Sequence, residues 1–317
     1  MHTSSAPRRE FGWTRIRAAT NDPMRPSRVR DPTKRPTPDG RTQEVAVLAR
    51  TTCTAKLTKT TAMISLACMA DAAPTAVCAQ SADRLPSVTE VLERYVDVTG
   101  GSAAVLQHTS MTIHGRYQVP ASHLDLESVF YTEGGKSLQK VVLPNGTAYV
   151  SAYDGHTAWD IDPAGKVTLH EGDEVKSIAR DADMYYHLHV MNYFRSMDVV
   201  DVQEFHARPC YHLKGMNNWG RTNEHFYDKE TGLLLGYAFN TAWRGGKGDA
   251  TETFDDYRDF GGVLMPAKGT LREGHDLSVS QVTRVTSVTY DDVDDSVFAL
   301  PDAVKKAVTE ARSGRKS

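Results

Sequence analysis

The sequence predicts a mainly β protein of the α+β class: one curved antiparallel sheet, with a helix before it, a helical segment within it and a short helix after it. Three observations carry this. From Met111 to Tyr290, short runs of alternating apolar and polar residues follow one another, separated by turn residues. Adjacent runs are joined by hairpin signals such as Asn145-Gly146, so successive strands are neighbours. The pattern holds about ten or eleven strands, and so many in one sheet must curl.

The leading helix lies in "LPSVTEVLERYVDVTGG". Ser87 is a good N-cap with Glu90 three residues on, and Gly100-Gly101 ends the helix. Val88, Val91, Leu92 and Tyr95 form one face. A short second helix is expected over Ser102 to Gln107. The strand runs "MTIHGRYQV", "HLDLESVFY", "KSLQKVVLP", "TAYVSAYDG", "HTAWDID" and "KVTLH" follow, the last two joined at Pro163-Ala164-Gly165. The helical interruption spans Glu171 to Phe194, with Val175, Ile178 and Ala179 at helical spacing, and should sit against an opening in the sheet. Strands resume at "DVVDVQEFHARPCYHLKGM" and run through "LSVSQVTRVTSVTYDDV"; Pro301 starts the final helix.

The hairpin "EHFYDKETGLLLGYAFN" predicts a type I turn closed by a bulge, with the Asp228 side chain bonding the backbone ahead and Gly232 at positive φ. Side-chain alternation puts Leu233, Leu235, Tyr237 and Phe239 on one face. That face has no charge, so it needs a partner surface or a ligand.

The first 79 residues hold 13 of the 37 basic and 6 of the 40 acidic residues, which leaves an acidic remainder. A basic head on an acidic body argues against nucleic-acid binding by the body. Residues 1–55 are Pro- and Arg-rich without apolar periodicity and read as a disordered tail or an over-long start, with Met24 and Met63 as alternative starts. Residues 56–80 read as a secretory signal: Lys56 and Lys59, the apolar run Ala62 to Ala70, and the small-residue box Val77-Cys78-Ala79. A lipid-anchored form is the weaker reading, because Leu66 lies one place too late for a lipoprotein box. Residues 81–317 form one domain, with no Pro/Gly linker inside 85–311. Cys53, Cys68 and Cys78 fall in the removable segment, so Cys210 alone remains and no internal disulfide is expected.

Catalytic motifs are absent. "GGKS" at Gly134 has Phe130 where a phosphate loop needs Gly, and "GGKG" at Gly245 lacks the dinucleotide spacing. His187, His189 and Asp183 are a candidate metal set, against the alternative of partly buried lid histidines. The pairs Asp255-Asp256, Asp291-Asp292 and Asp294-Asp295 point to opposite faces and read as turn and cap residues. Of the mid-strand arginines Arg116, Arg221, Arg258 and Arg284, any that faces inward needs a partner.

"FYDKETGLL" (226–234), "DDYRDFGGVLMP" (255–266) and "TRVTSVTYDDVDDSVFALP" (283–301), in that order and spacing, resemble the LolA/LolB-like family of periplasmic lipoprotein carriers and outer-membrane lipoprotein-sorting proteins. "LPSVTEVLERYVDVTGGSAAV" (85–105) and "YDGHTAWDI" (153–161) fit the wider group. The resemblance implies a half-closed barrel whose concave face is lidded by helices and binds acyl chains, without enzyme chemistry, metal or cofactor.

Physics points the same way: few covering helices cannot fill a wide concavity. An entering hydrocarbon gains about 0.8 kcal/mol per buried CH₂. Candidates to line the cavity are Tyr149, Trp159, Phe226, Leu235, Tyr237, Phe239, Trp243, Phe254 and Tyr257, with lid residues Ile178, Met184, Tyr185, Leu188, Met191 and Phe194. The expected protein is a monomeric periplasmic carrier or binder of a lipid-like or lipoprotein acyl ligand, with a membrane acceptor protein as a further partner. The alternatives are an envelope-assembly scaffold that holds a protein partner, and an enzyme using His187, His189 and Asp183.

Overall fold

The computed structural model describes residues 84–314 except Gly245. The expectations for 1–55 and 56–80 lie outside these residues. Among the described residues no helix is long and apolar enough to cross a membrane.

Two helices open the body. In α1 (Val88–Val98), Ser87 Oγ accepts from Glu90 N at 3.2 Å while Glu90 Oε2 accepts from Ser87 N at 2.5 Å, which completes a capping box. The buried Val91, Leu92 and Tyr95 pack on Leu213, Tyr227 and Leu234. A left-handed Gly100 leads into α2 (Gly101–Leu106); a Cβ there would sit 2.3 Å from the Gly262 carbonyl oxygen.

Six strands then meander outward: β1 (Ser110–Val119), β2 (Leu124–Glu133), β3 (Lys136–Val142), β4 (Ala148–Tyr153), β5 (Ala158–Ile161) and β6 (Val167–Leu169). The chain crosses through α3 (Asp173–Asp181), α4 (Tyr186–His189) and a 3₁₀ turn (Val190–Tyr193). Seven strands return: β7 (Phe194–Phe205), β8 (Arg208–Asn217), β9 (Thr222–Asp228), β10 (Leu234–Asn240), β11 (Asp249–Phe260), β12 (Val263–Glu273) and β13 (Ser278–Tyr290). Since β13 pairs with β1, the thirteen strands among the described residues form one antiparallel sheet with β6 and β7 at its edges, so it is not closed into a barrel. α5 (Asp302–Gly314) ends the body, its buried Val304 packing against Trp159 and Ala152.

Thirteen strands exceed the ten or eleven read from the pattern. The β7–β8 hairpin is hard to see because its two-residue turn, His206-Ala207, holds positive φ (52° and 58°) without Gly or Asn. The expected single helical run, Glu171 to Phe194, is two short helices and a 3₁₀ turn, and Phe194 already belongs to β7.

The Glu224–Asn240 hairpin turns as its chemistry predicts. Asp228 Oδ1 accepts from Glu230 N (2.8 Å) and Thr231 N (2.7 Å), and Gly232 sits at φ 78°. Arg208 pairs with the other oxygen of the buried Asp228 at 2.6 Å. Arg94 of α1 donates to the Lys229 and Glu230 carbonyls (3.0 and 2.6 Å), so the turn also anchors the first helix.

The face assignment fails within this hairpin. Between Leu234 and Gly236 the β9–β10 register slips, leaving Leu235 as an inserted bulge residue. Leu234 therefore joins Tyr237 on the α1 side, while Leu235 turns to the other face with Phe226 and Cys210.

Candidate functional site

One face of the sheet, beneath α1, α2 and the crossing segment, encloses a cavity of about 440 Å³. That lies within the range of small-molecule sites.

The crossing segment roofs it and is pinned to the sheet at several points. Thr132 Oγ1 donates to the Ala182 carbonyl (3.0 Å), and Tyr185 Oη donates to the His108 carbonyl (2.5 Å). At the β6 end, the buried His170 lies 2.9 Å from Asp160 and 3.0 Å from Glu174 of α3. Burial alone would push this imidazole down, but hydrogen bonds to the two carboxylates outweigh it and raise the pKa to about 9.

On the middle strands the cavity is lined by Met111 of β1, Phe130 of β2, and Val263, Leu264, Met265 and Pro266 of β12, together with Val105 of α2. On the strands near the β7 edge it is lined by Asn217, Trp219, Arg221, Asn223, His225, Tyr237 and Trp243. Above these sits Arg180 of α3. Its guanidinium bonds Asp181 Oδ1 through Nε (2.8 Å) and Nη2 (2.6 Å) and lies over the Trp219 (5.8 Å) and Tyr186 (5.9 Å) rings. Burial would lower the Arg180 pKa, but Asp181 more than reverses this and keeps it charged. Arg221 lies over the Trp243 ring at 5.1 Å.

Two histidines here are held neutral. Burial pushes His225 down to about 3, helped by Arg180 and His187, and pushes His187 down to about 4 against the pull of Asp183. Burial likewise raises Tyr95 and Tyr186 to about 12. Three buried polar atoms on lining residues, His187 Nδ1, His225 Nδ1 and Trp219 Nε1, have no hydrogen-bond partner among the described residues. Each such group costs roughly 1–3 kcal/mol.

Of the residues predicted to line the cavity, Tyr237, Phe239, Trp243, Phe254 and Tyr257 do so, as do Met184, Tyr185 and Leu188 of the lid. The others lie elsewhere. Trp159 pairs with Ala152 and Leu169 on the opposite face, buried under α5. Phe226 and Leu235 also face away, Phe226 stacking on Phe205 (4.1 Å between centroids). Tyr149 is cross-strand from Val141, which belongs to a separate apolar cluster with Tyr117 and Leu126. Ile178 is buried outside the lining, Met191 is 46% exposed, and Phe194 packs beneath the roof against His225.

The histidine pair of the metal reading diverges. His187 and His189 lie on the helix α4, where residues two apart do not share a face. His187 turns to Tyr95, whereas His189 Nδ1 bonds Asp183 at 2.9 Å. Among the described residues no group of three or more His, Cys, Asp or Glu is arranged to hold a metal ion. Cys210 is fully buried on the outer face, its thiol pushed up to about 11. Asp291 and Asp294 serve turns and caps: Asp291 accepts from Thr109 N (2.7 Å) and Asp294 from Ser296 N (2.8 Å). Arg116 and Arg258 pair with Asp125 and Asp256, Arg284 is exposed, and Arg221 reaches the cavity. Sequence reasoning missed Arg180; the one available signal is a cation inside an otherwise apolar-faced lid helix.

The chain is similar in fold to several solved structures. A LolA superfamily protein from Nitrosomonas europaea shares 12% identity over 68% of this chain and 99% of that one, with a TM-score of 0.48. A DUF1329 family protein from Desulfovibrio piger shares 14% over 67% and 97% (TM-score 0.47). An outer membrane lipoprotein-sorting protein domain from Vibrio parahaemolyticus shares 10% over 65% and 97% (TM-score 0.43). No family model and no curated protein matches the chain.

Proposed function

We propose that the protein is a non-catalytic binder and carrier of a lipid-like ligand, held between the sheet and its roof. The observation that carries this is the cavity itself: about 440 Å³ is left beside Met111, Phe130, Val263, Leu264, Met265 and Pro266, which offer mainly apolar surface. Such a wall favours a guest that sheds apolar surface from water. The residues that would hold it are Tyr237, Phe239, Trp243, Phe254 and Tyr257, with Met184, Tyr185 and Leu188 above. The reading includes export by segment 56–80 to the periplasm and action as a monomer. Lipid extraction and native mass spectrometry of the purified protein test it. Co-purifying lipid, or uptake of a fluorescent acyl probe, is expected; neither appearing would refute the reading.

Holding a protein partner is the second reading. The outer edge of β7 favours it, for among the described residues this twelve-residue strand has no neighbour on that side, and it exposes Val200 and Val202. A stoichiometric partner recovered from envelope extract, with no lipid bound, would select it.

A further inference from the structure

The two edges of the sheet end differently. β6 is three residues long, and its Val167 and Leu169 pack in one cluster with Val304 and Val308 of α5. β7 is twelve residues long, and among the described residues it pairs with β8 alone. Its register with β8 slips between Phe194 and Ser196 and again between Val199 and Asp201. Beyond the second slip, Asp201 to Phe205 pair without a break with His212 to Arg208. In an antiparallel ladder every second residue turns its N–H and C=O away from its one neighbour, so this regular stretch is a template for a further strand.

The side chains of the edge sort by face. Val202 stands opposite Tyr211, which packs with Val199 against the cluster under α1. Asp201 stands opposite His212, which stacks on Phe226 of the outer face. The α1 side of the edge thus carries an apolar row, Val199 and the 39% exposed Val202, that ends at Glu204; the outer side carries Asp198 and Asp201. These acids are poorly answered from within. Asp198 faces Lys214, but that ammonium bonds Glu224 at 2.9 Å. Among the described residues neither Asp198 nor Glu204 forms an ion pair, and Asp201 meets only His212, at 3.1 Å. The one cation on β7, Arg195, donates to the Asn218 carbonyl. A second copy of the chain fits this edge badly, because two β7 strands side by side would bring their acidic rows together.

We propose that the β7 edge is a strand-addition site for an extended segment of a partner protein in which apolar and basic side chains alternate. The apolar ones meet Val199 and Val202, and the basic ones meet Asp198 and Asp201. Ladder hydrogen bonds supply the affinity, and the two rows choose the segment and its register. This rests on the reading of β7 as a partner-binding edge, which a carrier and a scaffold can share.

Fluorescence anisotropy with a labelled octapeptide of alternating Lys and Val tests it. This peptide is expected to bind about tenfold more tightly than its Glu-Val counterpart. It should equally outbind a fully N-methylated Lys-Val peptide, which keeps the charge and loses every N–H. Amide exchange should slow in β7 on binding and stay unchanged in β12. Asp198→Lys with Asp201→Lys should turn the preference toward the Glu-Val peptide, and amide exchange of the peptide-free variant reports that its sheet is intact. Equal binding of the N-methylated peptide, or slowed exchange away from β7, would overturn strand addition. A dimer in sedimentation that Val200→Lys dissolves would overturn it as well, by giving the edge to a second copy. A stoichiometric partner from envelope extract that is retained after the charge reversal would overturn the edge site alone and leave the partner-holding reading standing.

Discussion

On the middle strands the cavity meets Met111, Phe130, Val263 and Met265, with Thr132, Gln139, Gln281 and Thr283 among them; on β8 to β10 it meets Asn217, Asn223, His225 and Tyr237. Both walls belong to one sheet and face one space, yet only the second carries orphaned nitrogens and an overlying ion pair. The difference teaches that the middle-strand wall, where Met111, Phe130, Val263 and Met265 stand, contributes mainly apolar contact, whereas buried polar groups gather at the wall beneath Arg180. Burial of hydrocarbon is non-directional, and hydrogen bonds are not.

The comparison can be broken from either wall. The largest effect is expected at Arg180. Arg180→Met leaves the half-buried Asp181 without its cation and should cost about 2–3 kcal/mol of unfolding free energy in denaturant titration; Arg180→Met with Asp181→Asn should recover most of it. A double variant as unstable as the single one would show that the guanidinium matters for packing and not for charge. On the apolar wall, Phe130→Asp should weaken fluorescent acyl-probe binding roughly 100-fold, because a guest would strip water from a carboxylate with no partner.

Titration sharpens the contrast. His187 and His225 stay neutral through physiological pH, while His170, at the roof's β6 end, stays charged. The His170 pKa rises from 6.5 to about 9 on folding, so its contribution is complete below about pH 6.5 and is lost as pH climbs through 9. Unfolding free energy should fall by about 2–3 kcal/mol between pH 7 and 10, and His170→Phe should flatten that slope. The smallest effect concerns the bulge. Leu235→Ala should cost about 2 kcal/mol of stability and leave probe affinity unchanged, since Leu235 packs with Phe226 and Cys210 on the outer face.

Much of the fold was legible because its turns use residues with a conformational reason to be there. Ser87 with Glu90, Asn145-Gly146, and Asp228 with Gly232 each mark an element boundary that the structure keeps. What was not legible turns on parity and on tertiary neighbours. One bulge at Leu235 puts Leu234 on the inward face in place of Leu235, while Tyr237 and Phe239 stay where alternation puts them; alternation alone cannot register an inserted residue. Trp159 looked like a cavity aromatic, but which face of β5 is inner is set by where α5 docks, some 140 residues later. Arg180 was hidden because a guanidinium beside an aspartate on a helix reads as a solvated pair until Trp219 and Tyr186 close over it.

Brominated acyl esters quench tryptophan on contact, and the chain places its tryptophans usefully for this. Trp219 and Trp243 line the cavity, while Trp159 lies on the opposite face under α5. With Trp13 replaced by Phe throughout, single-tryptophan variants titrated with a brominated acyl ester should show saturable quenching at Trp219 and Trp243 and none at Trp159. Quenching at Trp159 alone, or at no site, would contradict the account.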